Sequence, residues 1–170
     1  MLTLSFFRHA KSSRNEPELE DFDRPLSPRG RKAAPRMAAF MRDNDIYPDL
    51  VLCSPSRRTR ETWALISGAL RNPPTRYFQE LYLATPETML DCIRGTGRDI
   101  GHLMLVGHNP GTQQLAVNLI GSADRQALKA LAAKFPTAGL AVITFETGAW
   151  RSIRPATGHL SLFMTPKRLP

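Results

Sequence analysis

Cysteine is scarce in this 170-residue chain: Cys53 and Cys92 share no CxxC spacing, and both sit in apolar surroundings. That excludes a disulfide-stapled scaffold and a thiolate metal site, and predicts two reduced thiols. Long hydrophobic runs are missing as well. The N-terminus is apolar for only about six residues before charge appears, too short for a signal peptide or a membrane span. The expected location is therefore cytoplasmic, with no membrane partner. No carboxylates are grouped to hold a metal, and neither a metal nor a cofactor is expected. Repeats, linkers and low-complexity segments are absent too, so residues 1–170 read as one domain, long enough for a core without staples.

Negative charge is the other deficit. Acidic residues number 15 against 23 basic ones, for a net charge of +8 and a sequence pI near 10.2. Arginine supplies far more of the positive charge than lysine, which suits fork-like recognition of phosphate or carboxylate. The arginines are scattered, with neither blocks of like charge nor interleaved aromatics. No nucleic-acid partner is expected; steering of anionic substrates is. The acidic residues gather between Asn15 and Pro25 (Glu16, Glu18, Glu20, Asp21, Asp23) in a segment with neither helical nor strand period. This is read as a solvated loop. A second reading has it competing with anions for nearby arginines until substrate displaces it.

What is present is an alternation of strand and helix signals. Strands are expected at Thr3–Phe7, Asp49–Cys53, Thr75–Phe78 and His102–Val106. Helix starts are expected at Ser27-Pro28, Ser54-Pro55, Thr85-Pro86 and Asn109-Pro110, each with a capping side chain followed by proline. Pro35 should kink or divide the first helix. A further helix is expected over Asp124–Ala133, a hairpin pairing Leu140–Phe145 with Trp150–Ile153, and an irregular tail over Gly158–Pro170. The pattern predicts an α/β protein, a three-layer α/β/α sandwich with a mainly parallel sheet and an antiparallel edge strand.

The chemistry-bearing residues fall at strand ends. Leu2–Phe7 is an apolar run rich in strand formers that stops at Arg8-His9 and a small basic turn. Ligands of α/β proteins collect beyond the carboxyl ends of strands. Arg58 lies in the first turn of the second helix, and His108 follows the His102–Val106 strand. Arg8, His9, Arg58 and His108 are therefore expected to converge, with two helix N-termini aimed at the same rim. His102 and His159 are expected to be structural or surface residues, and Trp63, Met37 and Met41 core. Arg57 is expected to pair with Glu61 four residues on.

These stretches resemble the histidine phosphatase superfamily. Arg8-His9-Ala10 is similar to its Arg-His-Gly signature, with Ser12 and Asn15 where the longer motif has Ser and Asn. Leu26-Ser27-Pro28-Arg29-Gly30 resembles its Leu-Thr-x-x-Gly block. Ser54-Pro55-Ser56-Arg57-Arg58-Thr59-Arg60-Glu61-Thr62 resembles its Ser-Pro-x-x-Arg block, placing the family arginine at Arg58. Val106-Gly107-His108-Asn109-Pro110-Gly111 resembles its second-histidine block. The small size is most similar to the SixA-type phosphohistidine phosphatase branch. The resemblance implies a metal-independent phosphatase with His9 as nucleophile. Arg8, Arg58 and His108 would neutralise the phosphoryl oxygens, and Ser12 and Asn15 would touch phosphate. Ala10 departs from the usual Gly, and is compatible provided its φ is negative. Glu80 is the candidate leaving-group acid, and a weak acid would favour phosphoramidates, because imidazole leaves more easily than an alkoxide.

The implied partner is a phosphorylated protein carrying phosphohistidine, or a small phosphorylated metabolite. Two alternatives stand beside the phosphohistidine reading. One is a small-molecule phosphomonoesterase or phosphoglycerate-type mutase, disfavoured as a mutase by the short chain. The other is a non-enzymatic phosphate- or nucleic-acid-binding module, disfavoured by the intact His9, Arg58 and His108. Specificity is expected from the loops at Glu16–Pro25, Glu80–Thr85 and Thr137–Gly139. No signal bears on oligomeric state.

Overall fold

The computed structural model describes residues 1–170. Strands β1 (Leu2–Arg8), β2 (Leu50–Cys53), β3 (Thr75–Tyr77), β4 (His102–Gly107), β5 (Ile120–Ala123), β6 (Leu140–Phe145) and β7 (Gly158–Met164) form one sheet in the order β3-β2-β4-β1-β6-β7-β5. Neighbours from β3 to β1 are parallel, β6 is antiparallel to both β1 and β7, and β5 is parallel to β7. The fold is thus the expected α/β sandwich with a mainly parallel sheet. Its antiparallel strand is β6, which lies inside the sheet rather than at an edge.

Strand alternation divides the core into two layers. Leu4, Phe6, Leu52, Leu103 and Leu105 join one buried cluster with Met89 and Ile93 of α3 (Pro86–Arg94), Leu115 and Leu119 of α4 (Gly111–Leu119) and Leu131 of α5 (Arg125–Ala133). Phe7, Val51, Cys53, Met104 and Val106 join the other, with Met37 and Met41 of α1 (Pro28–Asp43) and Trp63 and Ile66 of α2 (Arg57–Ile66). Adjacent residues of a strand face opposite sides, so near-continuous apolar strands are what a sheet covered on both faces requires. Cys53 is buried, Cys92 is partly buried, and both are free thiols.

Four local expectations change. Helix α1 runs through Pro35 unbroken. Pro35 is exposed, so the carbonyl that loses its helical donor there can turn to water. The end of the fourth expected helix, from Ile120, is instead β5. Trp150–Ser152 is a 3-10 turn, and the hairpin partner of β6 is β7, which occupies much of the segment expected to be irregular. The β7 signal was hidden because Gly158 and the polar His159 and Ser161 interrupt its apolar residues. Finally, two helices start later than expected: the cap of α2 is Ser56 rather than Ser54, and that of α4 is Pro110 rather than Asn109, with no side-chain cap bond at either; Ser54 is engaged elsewhere.

Candidate active site

Register alone brings the two histidines together. β1 and β4 are parallel neighbours with Arg8 opposite Gly107, so the residues that follow, His9 and His108, leave the sheet side by side. Their ring centroids are 5.2 Å apart, with planes inclined at 53°. β2 flanks β4 on its other side and leads into α2, whose second residue is Arg58. Arg58 is 3% exposed, His9 6% and His108 1%. All three line a depression of about 240 Å³ together with Arg8 and Ser12.

The tautomer of His9 follows from its partner. Nδ1 lies 2.7 Å from the carbonyl oxygen of Ala10, which can only accept, so Nδ1 carries the proton and Nε2 keeps the lone pair. Burial pushes the His9 pKa down to about 3, assisted by the charges of Arg58, Arg8 and Arg24 against the opposing bond to Ala10. The ring is neutral at physiological pH with a basic nitrogen free. Burial likewise lowers His108, with the neighbouring His9 and Arg58 next in effect. Its Nε2 lies 2.8 Å from Ser54 Oγ, and its Nδ1 is buried without a protein partner, as are Nε of Arg8 and Nε of Arg58. Buried polar groups left unpaired are costly, and these belong to three side chains lining one depression.

The turn that presents His9 is braced from α2. The backbone N–H of Ala10 donates to Thr62 Oγ1 at 2.9 Å, and that hydroxyl donates to the carbonyl of Arg58 at 2.7 Å. Ala10 is fully buried and its φ is not positive, so the departure from glycine is free of strain. The motif glycines serve close approach instead. A Cβ on Gly30 would sit 2.2 Å from the carbonyl oxygen of Lys11, and one on Gly111 would sit 2.1 Å from that of Ala84.

Five cationic side chains (Arg8, Lys11, Arg14, Arg24, Arg58) line the depression, with one carboxylate, Asp21. Burial, with the Arg58 charge second, lowers the pKa of Arg8, although an arginine stays charged. Nη1 of Arg8 donates to the carbonyl of Phe135 at 2.9 Å. Arg24 donates to Ser12 Oγ at 2.8 Å and to the Asp21 carboxylate at 3.0 Å. Arg58 donates from Nη2 to Asp21 Oδ2 at 3.0 Å and from Nη1 to the Asp21 carbonyl at 2.6 Å. The Tyr82 hydroxyl donates to the same Oδ2. Against the effect of its burial, bonds from Tyr82, Arg58 and Arg24 hold the Asp21 carboxyl well below the usual range.

The structure therefore assembles Arg8, His9, Ser12, Arg58 and His108, and leaves out two expected residues. Asn15 is exposed in its loop and does not line the depression. Glu80 faces a separate depression of about 440 Å³ with Arg76, Asp91 and Cys92. It belongs to a 3-10 turn over Gln79–Leu81 in which Leu81 is the buried side chain, which turns Glu80 toward β3 and α3. Residues missed from sequence include Asp21, Arg24, Leu83 and Thr137. All four fall in the loops expected to set specificity, but no spacing singled them out. Lys11 and Arg14, next to the His9 turn, line the depression too and were not singled out from sequence either.

The profile of the histidine phosphatase superfamily (branch 1) matches residues 4–82. An uncharacterized protein of Mycobacterium tuberculosis is 37% identical over 162 residues, covering 94% of this chain and 99% of its own. Among solved structures, a candidate phosphohistidine phosphatase SixA from Agrobacterium tumefaciens is similar with a TM-score of 0.82 and 32% identity, over 97% of this chain and 98% of its own. A protein histidine phosphatase SixA complexed with tungstate shares the fold at TM-score 0.80 and 19% identity, over 99% of this chain and 100% of its own.

Proposed function

Because the chain belongs to the histidine phosphatase superfamily, in its SixA-type branch, we propose that it is a phosphatase acting on phosphohistidine carried by a protein. In the first step the lone pair of His9 Nε2 forms a bond to phosphorus while the substrate's P–N bond breaks. The bonding pair leaves on the substrate imidazole, which departs neutral because its other ring nitrogen carries a proton. In the second step water attacks phosphorus, the His9–phosphorus bond breaks and its pair returns to Nε2, with orthophosphate as product. Arg8, Arg58 and His108 carry N–H donors for the charge on the phosphoryl oxygens, so the contribution is positioning and electrostatics.

One observation carries the choice of substrate. The single carboxylate lining the depression, Asp21, is held ionised, so no protonated acid is at hand for an alkoxide. Imidazole, with an ordinary pKa of about 6.5, departs with least help. The depression is also small and polar, with Leu83 as its apolar contact. That favours a phosphoryl group presented from outside over an enclosed metabolite.

The test compares a phosphohistidine peptide with phosphoserine and phosphotyrosine peptides and with 3-phosphoglycerate. General acid catalysis contributes about 10²–10⁴-fold, so kcat/KM for phosphohistidine should exceed that for the esters by about 10² or more. His9→Ala should abolish both activities, and acid-labile phosphate should be trapped on His9. Equal or faster ester hydrolysis would remove the phosphohistidine assignment. Movement of phosphate between hydroxyls of a sugar acid, without release of orthophosphate, would favour a mutase.

A further inference from the structure

Residues 14–24 form a loop closed at its neck by Ser13 N–H donating to the Pro25 carbonyl and by the Ser12–Leu26 bridge. Within it, the backbone bonds are local: Leu19 to Glu16, Asp23 to Glu20, Arg24 to Asp21. The turn over Asp21–Asp23 buries none of its residues. It is held to the domain body through Asp21, bonded to Arg58 and Tyr82, through Phe22, edge-on to the Tyr82 ring at 5.0 Å, and through Arg24, which donates to Ser12 Oγ and the Ser13 carbonyl.

We propose that Asp21 is an internal competitor for the phosphoryl group, its carboxylate holding Nη2 and its backbone carbonyl Nη1 of the Arg58 fork until substrate displaces them. The inference rests on the reading of the depression as a phosphoryl site. Both Nη groups of Arg58, a side chain almost wholly buried in the wall of that depression, are spent on Asp21, while its Nε is unpaired. A bidentate guanidinium is the natural partner of a phosphoryl group, and here a residue of the same chain is its partner. Asp21 is half exposed and sits on a turn that buries none of its residues, so it can leave without disturbing the core. A carboxylate and a phosphoryl dianion repel at short range. Asp21 thus sets how strongly an anion must bind to be admitted, and it re-enters as orthophosphate leaves.

A fixed brace that orients Arg58 would give the same resting contacts but the opposite response to removal. Binding of orthophosphate is measured by calorimetry for wild type, Asp21→Asn, Tyr82→Phe and Asp23→Asn. Asp21→Asn keeps the shape and removes the charge. It should tighten orthophosphate about tenfold, equivalent to about 1.4 kcal/mol, and lower KM for the phosphohistidine peptide more than it changes kcat. Tyr82→Phe removes one donor to Asp21 and should tighten orthophosphate by about two- to threefold, half the logarithmic effect or less. It keeps the test open should Asp21→Asn fold poorly. Asp23→Asn makes the same change of net charge on the same turn, away from Arg58, and should shift binding less than about twofold. Unchanged or weaker binding in Asp21→Asn, or equal tightening in Asp23→Asn, overturns the proposal. If wild type hydrolyses phosphohistidine but Asp21→Asn binds orthophosphate no tighter, the internal competitor alone is refuted. If neither protein binds orthophosphate at millimolar concentration, the phosphoryl-site reading falls with it.

Discussion

His9 and His108 stand 5.2 Å apart and are tethered by opposite nitrogens: Nδ1 of His9 to the Ala10 carbonyl, Nε2 of His108 to the Ser54 hydroxyl. The two rings therefore leave different atoms without a protein partner, Nε2 of His9 and the buried Nδ1 of His108. A hydroxyl can accept or donate, so Ser54 allows His108 a tautomer that the carbonyl of Ala10 denies His9.

That asymmetry makes Ser54 a positioning residue whose loss is felt through His108. Ser54→Ala should lower kcat/KM about five- to tenfold, the effect of losing one hydrogen bond of roughly 1 kcal/mol. Acid-labile phosphate should still accumulate on His9 in single-turnover experiments. A drop of more than about 10³-fold, or no trapped phosphate, would mean that Ser54 acts on the reacting atoms and not through the ring.

The brace from α2 gives a stability prediction. Thr62→Val keeps the volume and leaves the buried N–H of Ala10 without its acceptor, for which a cost of about 1–3 kcal/mol is expected. Because that N–H belongs to the residue after His9, activity should fall as well. Chemical denaturation and turnover measured on the same preparation check the pairing; full stability with full activity would dismiss the brace.

Gly30 and Gly111 give a related prediction. At each, an alanine Cβ would collide with a backbone carbonyl, of Lys11 and Ala84 respectively, and backbone yields less readily than a side-chain tip. Gly30→Ala should push the Lys11–Ser12 segment from the depression, with a stability loss of about 1–3 kcal/mol. Gly148, around which nothing lies within 4 Å, is the control, and Gly148→Ala should leave both stability and turnover close to wild type. Equal melting temperatures for the two variants would refute the packing argument.

Much of the site was legible because its residues sit where strands stop. Arg8-His9 and His108 follow apolar runs whose length sets the register, and parallel pairing does the rest. Arg58 needed its motif to distinguish it from Arg57, which pairs with Glu61 at 3.1 Å as its spacing suggests. Asp21 was not legible as a site residue. Five acidic side chains crowd that loop, and only the folded turn selects which one reaches Arg58. Glu80 lies outside the depression for the converse reason: a 3-10 turn of three residues fixes the direction of its side chain, and so short a turn has no periodicity to read. The strand β7 was missed because its exposed positions carry polar residues that resemble loop.

Acid sensitivity should trace to the histidines. In the folded protein His9 is lowered from 6.5 to about 3, chiefly by burial, and burial lowers His108 and His102 as well. In the unfolded chain these rings take up protons near pH 6.5. Below that pH the unfolded state binds more protons than the folded one, so stability falls as pH falls; above it the contribution is flat. The His9 ring, whose folded value lies well below that pH, removes about 1.4 kcal/mol per pH unit once its unfolded form is protonated. The paired carboxylates Asp21 and Glu61 have lowered values, so their stabilisation is lost only as pH falls below their ordinary 3.8 and 4.5. The interval from pH 6 to pH 5 therefore isolates the histidines. His9→Gln should reduce the slope of unfolding free energy against pH in that interval by about 1 kcal/mol per unit, read from urea titrations at several pH values. An unchanged slope would mean that the His9 ring takes up its proton in the folded state as readily as in the unfolded chain.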